Sequence, residues 1–162
     1  MLITANIQPI IPAYDSKIAS IIRTVLEEFG ANRPGTVYTD PTTDHLSAVF
    51  QHPGSAYFVA EQQGILLGGA GLFPTAGLPE FTCELVKMYL LPSARGKGIG
   101  LQLLRHVMAT ARQMGYRQMY IETMPELQQA IHLYEKAGFR YLTQPLGNSG
   151  HFGCDIWMLR DL

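Results

Sequence analysis

Apolar positions along the chain follow two periods, and the switches between them divide it into strands and helices. Residues 2–11 read as a first strand, which Pro12 breaks. Ile18, Ile21, Ile22, Val25, Leu26 and Phe29 then share one face of a helix that Asp15 or Ser16 can cap and Gly30 ends. Periodicity stops over 31–43, where Asn32, Pro34, Gly35, Asp40 and Pro41 give turn chemistry and a loop longer than a plain connector. A short helix follows over 44–51. Residues 55–62 and 65–73 read as two strands around a Gln63-Gly64 hairpin turn. Gly68, Gly69 and Gly71 inside the second strand signal a bulge or a closely approaching backbone.

The next stretch is the most informative. A strand over 83–91, rich in Val, Leu, Met and Tyr, carries Glu84 and Lys87 inside it. It runs through Pro92 into Arg95-Gly96-Lys97-Gly98-Ile99-Gly100 and then into a helix with Leu103, Leu104, Val107, Met108 and Ala111 on one face. Gly115 stops that helix, and 117–123 form another strand. Thr123-Met124-Pro125-Glu126 fits a capping box for a helix with the stripe Leu127, Ala130, Ile131 and Tyr134. Gly138 ends it. A strand over 139–143, a glycine-rich loop over 144–154 and a strand over 155–160 close the chain. The order β-α-α-β-β-β-α-β-α-β-β is that of a mixed α/β protein.

Composition narrows the function classes. With 162 residues the chain suits one domain, 1–162, and 47% hydrophobic against 15% charged residues describes a soluble globular protein. A net charge of −1 offers no footprint for nucleic acid or an anionic membrane. Cys83 and Cys154 read as thiols in a reducing compartment, and the histidines lack metal-site spacing. The apolar start is short and has no basic flank, so neither a secretion signal nor a membrane span is expected; a cytoplasmic location follows by default.

The glycine loop points to a phosphate ligand. The first amides of a helix have no partner inside it, and the helix dipole adds positive potential there. Glycines let an anion reach that backbone, and Arg95 and Lys97 add charge, so a diphosphate is the expected ligand. A nucleotide P-loop would need Ser or Thr after Lys97, where Gly98 stands. The dinucleotide fingerprint needs a third glycine, where the chain has Leu101 or Leu103. Glu122, near the end of the following strand, still stands where a ribose-binding acid would, so the dinucleotide reading weakens without disappearing.

Arg95-x-x-Gly98-x-Gly100 resembles the diphosphate-binding segment of the GNAT N-acetyltransferase superfamily. The preceding Tyr89-Leu90-Leu91-Pro92 and the later Ala130-Ile131-His132-Leu133-Tyr134-Glu135-Lys136-Ala137-Gly138-Phe139 resemble the same family in the same order. The resemblance covers nearly the whole chain. It implies an α/β (α+β) GNAT-like fold, with a mixed, mostly antiparallel sheet of about six to seven strands flanked by about four helices. It also implies acetyl-CoA as donor, held by Met88, Tyr89 and Leu90 along the central strand and by Arg95, Gly96, Lys97, Gly98, Ile99, Gly100 and Leu101 at the loop. The implied reaction is transfer to a primary amine of a small-molecule or amino-acid-like acceptor, by direct attack in a ternary complex. The alternatives are a non-catalytic acyl-CoA-binding module, or an enzyme acting on peptide lysines or protein N-termini.

Two residues stand out as catalytic. Glu84 is a carboxylate within an apolar strand, costly to bury unless paired or used, and it matches the base of histone-type members; a solvent-edge glutamate or an ion pair with Lys87 is the plainer account. Tyr134 matches the signature tyrosine whose hydroxyl protonates the departing thiolate, although its place on an apolar stripe also suits the core. The family often has asparagine where this chain has Leu127, so one polar contact to the cofactor arm is missing or supplied elsewhere. Tyr38, His151 and Phe152, on the two long loops, are the candidate acceptor-binding residues, and Asp40, Asp44 and Glu80 could attract an ammonium group. Homodimers are common in the family.

Overall fold

The computed structural model describes residues 4–162. Its strands are β1 (Asn6–Pro9), β2 (Ala56–Gln62), β3 (Ile65–Phe73), β4 (Thr82–Leu90), β5 (Gln118–Thr123), β6 (Arg140–Leu142) and β7 (Ile156–Asp161). Its α-helices are α1 (Asp15–Glu28), α2 (Leu46–Val49), α3 (Ile99–Gln113) and α4 (Gln128–Lys136). The strands form one mixed sheet in the order β1-β2-β3-β4-β5-β7-β6. The first strand is shorter than the expected 2–11, and Leu2 and Ile3 lie outside the described residues.

Alternation along the strands feeds two cores. Val59 and Leu66 face α1, whose Ile18, Ile22 and Leu26 are fully buried against them. Ala60, Leu67 and Leu72 face the opposite side, against Leu103, Leu104 and Val107 of α3. Each Val, Leu or Ile among them contributes roughly 1.5–3 kcal/mol when taken fully from water.

Three helix starts differ from expectation. α1 follows a 3-10 turn, Pro12–Tyr14, and begins at Asp15 with Tyr14 as an N-cap that makes no side-chain bond. Neither Asp15 nor Ser16 caps it, and the Asp15 carboxylate accepts from the Ser47 amide at 2.8 Å instead. Residues 44–51 do not begin a helix at Asp44: a 3-10 turn, Pro41–His45, precedes α2. Pro41 presets that first turn and the Asp40 carboxylate accepts the Thr42 amide at 2.9 Å, which draws the start back. The capping box at Thr123 is absent. Thr123 pairs with Ile156 in the sheet, and α4 starts at Gln128 with no side-chain cap. Glu126, the other half of the expected box, binds Arg33 at 2.9 Å instead.

The sheet is irregular where the site lies. β4 and β5, the one parallel pair among the described strands, match at Thr82↔Gln118, Cys83↔Met119 and Glu84↔Tyr120, and then part. Among the described strands, the rest of β4 therefore has no partner on that side. On its other side the register with β3 jumps from Gly69↔Tyr89 to Gly71↔Val86, which gives β4 an extra residue. Lys87 sits in this bulge with φ 52°.

The three glycines of β3 make the bulge fit. A Cβ on Gly68 would lie 2.0 Å from the Tyr89 carbonyl oxygen, and one on Gly69 would lie 2.6 Å from the Tyr57 ring. The Tyr57 hydroxyl in turn donates to the Lys87 carbonyl at 2.9 Å. Gly68→Ala is expected to destabilise the fold by about 1–3 kcal/mol, because backbone rather than a flexible side chain must move. Urea titration checks this through a lowered midpoint at an unchanged slope.

Candidate active site

A cleft of about 420 Å³ opens between the unpaired half of β4, the 95–98 loop, the start of α3 and α4. Gly96 and Gly98 take φ 71° and 83°, values an L side chain resists, and so turn the chain sharply into α3. Gly98 is the N-cap and supplies no side-chain oxygen, so the first amides of α3 keep their donors free for a ligand. Of the expected cofactor residues, Met88, Tyr89, Leu90, Arg95, Gly96, Gly98, Gly100 and Leu101 line this cleft. Ile99 turns its side chain into the core, and Lys97 Nζ donates to the Ser93 carbonyl at 2.6 Å.

Arg95 is already engaged. Its guanidinium grips the Glu28 carboxylate at 2.8 and 2.9 Å, donates to the Leu90 carbonyl at 3.0 Å and lies over the Phe29 ring. The hydrogen bond from Arg95 lowers the Glu28 pKa. Arg95 thus clasps the loop to α1 and to the end of β4. Sequence reasoning missed the apolar wall of the cleft, which Val25 of α1, Phe29 just after it and Leu133 of α4 provide.

A smaller cavity of about 40 Å³ lies on the other side of Tyr89 and Leu127, which line both spaces. Glu84, Lys87, Glu122, His151 and Cys154 line it. The Glu84↔Tyr120 pairing puts Glu84, Tyr120 and Glu122 on one face of the sheet. Glu84 is 3% exposed and accepts a 2.6 Å hydrogen bond from the Thr75 hydroxyl. Burial pushes its pKa up to about 7; the Thr75 bond opposes this and the Glu122 charge adds to it. Glu84 is therefore neither a solvent-edge residue nor ion-paired with Lys87.

Glu122 accepts hydrogen bonds from the Tyr120 and Ser149 hydroxyls. It lines the small cavity and not the cleft at α3, so it is not placed as a ribose-binding acid beside that helix start. Lys87 pairs with Asp40 at 3.8 Å, and Asp40 Oδ2 lies 3.0 Å from His151 Nε2. Burial alone would raise the Asp40 carboxyl, but hydrogen bonds from His151 and Thr42 and the Lys87 charge hold it at about 2. Neither Lys87 nor Glu122 had been singled out for this cavity. The available signal was two charged residues in adjacent apolar strands.

The other expected residues are dispersed. Tyr134 is buried in the core against Phe139, burial raises its pKa, and it lines neither space. The Tyr38 hydroxyl donates to Glu27 at 2.6 Å, and Phe152 is 83% exposed with its ring over Gly35; neither reaches the small cavity. Asp44 is bound by Arg23 at 2.5 Å. The two long loops are joined over the cavity: the Gly153 amide donates to the Gly35 carbonyl at 2.8 Å, and Arg33 donates to the Gly153 carbonyl at 3.0 Å. Among the described residues no three His, Cys, Asp or Glu side chains cluster as a metal site requires, both cysteines are free, and no helix is long and apolar enough to cross a membrane.

Known proteins share this architecture. The family model described as Acetyltransferase (GNAT) family matches residues 20–139. The uncharacterized N-acetyltransferase YjgM of Escherichia coli (strain K12) is 43% identical over 146 residues, which cover 90% of this chain and 87% of the relative. The solved GNAT superfamily phosphinothricin acetyltransferase of Sinorhizobium meliloti, in complex with AcCoA, superposes with a TM-score of 0.76 at 24% identity, over 99% of this chain and 89% of that one. The paiA N-acetyltransferase of Thermoplasma acidophilum, in complex with coenzyme A, gives 0.77 at 16% identity, over 99% and 100%. By sequence and by fold together, the chain belongs to the acetyltransferase (GNAT) family.

Proposed function

We propose that this protein is an acetyl-CoA-dependent N-acetyltransferase that acts, as one domain in the cytoplasm, on the primary amine of a small, amino-acid-like molecule. The observation that carries this reading is the meeting of two unlike spaces at the β4 bulge. One has unpartnered helix amides and glycines suited to a diphosphate; the other has a buried carboxylate that titrates near neutrality.

Bound acetyl-CoA supplies the thioester whose acetyl group the amine takes. The first amides of α3 hold the diphosphate, and the free edge of β4 at Met88–Leu90 aligns the rest of the molecule. A β4 amide donates to the carbonyl oxygen as it gains charge. Glu84, as carboxylate, takes the proton of the incoming ammonium, which leaves a nucleophilic amine. Tyr134 lines neither space, but its hydroxyl interacts with Tyr89, which lines both, and from that position it is the proposed donor of a proton to the thiolate. The acceptor side is small and covered by joined loops, which favours a small molecule over a folded protein.

A screen of primary amines for acetyl-CoA-dependent thiol release tests the reading. Release with a subset of small amines supports it; tight acetyl-CoA binding with no release across the panel overturns it. Tyr134→Phe is expected to slow the chemical step about 10- to 1000-fold while leaving acetyl-CoA affinity unchanged. Single-turnover kinetics alongside calorimetry check both halves of that statement.

A further inference from the structure

Lys87 is held where a lysine is expensive. Its φ of 52° lies in the left-handed region, which glycine occupies without strain, and its side chain is only 7% exposed. Burial lowers the pKa of its ammonium, with the charges of Asp40 and Glu84 opposing. Asp40, at 3.8 Å, is an ion partner beyond hydrogen-bond distance, and no hydrogen bond satisfies the three Nζ donors among the described residues. Asp40 is itself occupied by His151 and Thr42. Among the described residues Glu126 Oε2 is the one fully enclosed side-chain polar atom without a hydrogen bond, so the Lys87 ammonium, which also lacks one, opens onto the cavity. Strained backbone gathers at functional sites.

The bulge also decides where this ammonium points. Residues three apart on a regular strand face opposite sides of the sheet, but the extra residue reverses that parity. Glu84 and Lys87 therefore line the same cavity. Its charged groups lie apart: Glu84 and Glu122 at the β4–β5 seam, and the Lys87 ammonium, with Asp40 at 3.8 Å, towards the covering loops.

We infer that Lys87 is a specificity-determining residue that binds a carboxylate of the acetyl acceptor, whose amine faces Glu84; the substrate class is then amino acids. This inference rests on the acetyltransferase reading and narrows it. Complementarity to a zwitterion selects against molecules that lack the acid, because they would displace water from the Lys87 ammonium without offering it an acceptor.

The test compares matched probes on the intact protein. Alanine, leucine and phenylalanine are each assayed against their carboxamides and their decarboxylated amines, by thiol release with acetyl-CoA and by calorimetry on the CoA-saturated protein. For at least one side chain, the acid is expected to exceed the decarboxylated amine by about 100-fold in kcat/KM and in affinity, with the carboxamide between them. In Lys87→Met the three members of that series should fall within about threefold of one another, chiefly through KM, since the acid alone loses its partner. The wild-type comparison needs no variant and stands even if Lys87→Met folds poorly. Amines acetylated as well as or better than the acids overturn the inference while leaving the acetyltransferase reading intact. An acid preference in calorimetry without thiol release overturns that reading instead. A preference that persists undiminished in folded Lys87→Met removes Lys87 from the role.

Discussion

Gly98→Asp is expected to abolish acetyl-CoA binding in a protein that remains folded. Gly98 is the N-cap of α3 at φ 83°, and aspartate is among the few L-residues that visit this region at modest cost. An aspartate at an N-cap can even satisfy an orphan amide, so the helix itself should tolerate the change. The ligand should not. The new carboxylate would compete for the amides offered to the diphosphate and oppose its charge at close range. A loss of at least about 100-fold in affinity is expected, since two or more charge-assisted hydrogen bonds become a repulsion. Calorimetry measures the loss, and thermal unfolding within a few degrees of wild type shows that the fold survives. Gly98→Asn, with the same shape and no charge, should retain far more affinity. If Gly98→Asp binds as well as wild type, the anion site is misassigned and the proposed function falls with it.

Glu84→Gln should have the second largest effect, with a dependence on pH that identifies its cause. In the wild type, Glu84 gains its charge as pH rises through about 7, so kcat/KM should climb through that value. Glutamine cannot take a proton, and the climb attributed to Glu84 should vanish. The deficit, about 100-fold or more, is greatest between pH 7 and the pKa of the acceptor amine, where the wild type has its base and the amine still needs deprotonation. Stability should move the other way. The folded carboxyl titrates above its unfolded value of 4.5, so the folded state holds more protons between 4.5 and about 7 and loses stability as pH rises through that window. Above it, Glu84→Gln should be the more stable protein, by up to about 3 kcal/mol. A variant with the wild-type rate profile would remove Glu84 from its role, whereas a slower but less stable variant would point to lost packing.

What could be read from the chain was whatever a local pattern encodes. The stripe from Ile18 to Leu26, the Gln63-Gly64 turn and the glycine loop before α3 each depend on neighbours within a few positions, and each stands as expected. The capping box failed because Thr123 had a second suitor, the Ile156 backbone, that only the assembled sheet supplies. Arg95 was read as a charge for the ligand because Glu28 is distant in sequence. Glu84 was legible as an anomaly in an apolar strand. Lys87 was not, because the bulge that turns it into the same cavity arises from β3 glycines seated against the Tyr57 ring.

The clasp between Arg95 and Glu28 has a consequence for selectivity. Because a carboxylate of the protein already neutralises this cation, the α3 entrance is less cationic than its sequence suggests, and oriented dipoles act there beside the ammonium groups of Lys97 and Lys136. A strongly cationic mouth would collect every abundant polyanion in its surroundings, from inorganic phosphate to nucleic acid. This one rewards only a molecule that can reach the amides and fill the apolar groove beyond them at the same moment.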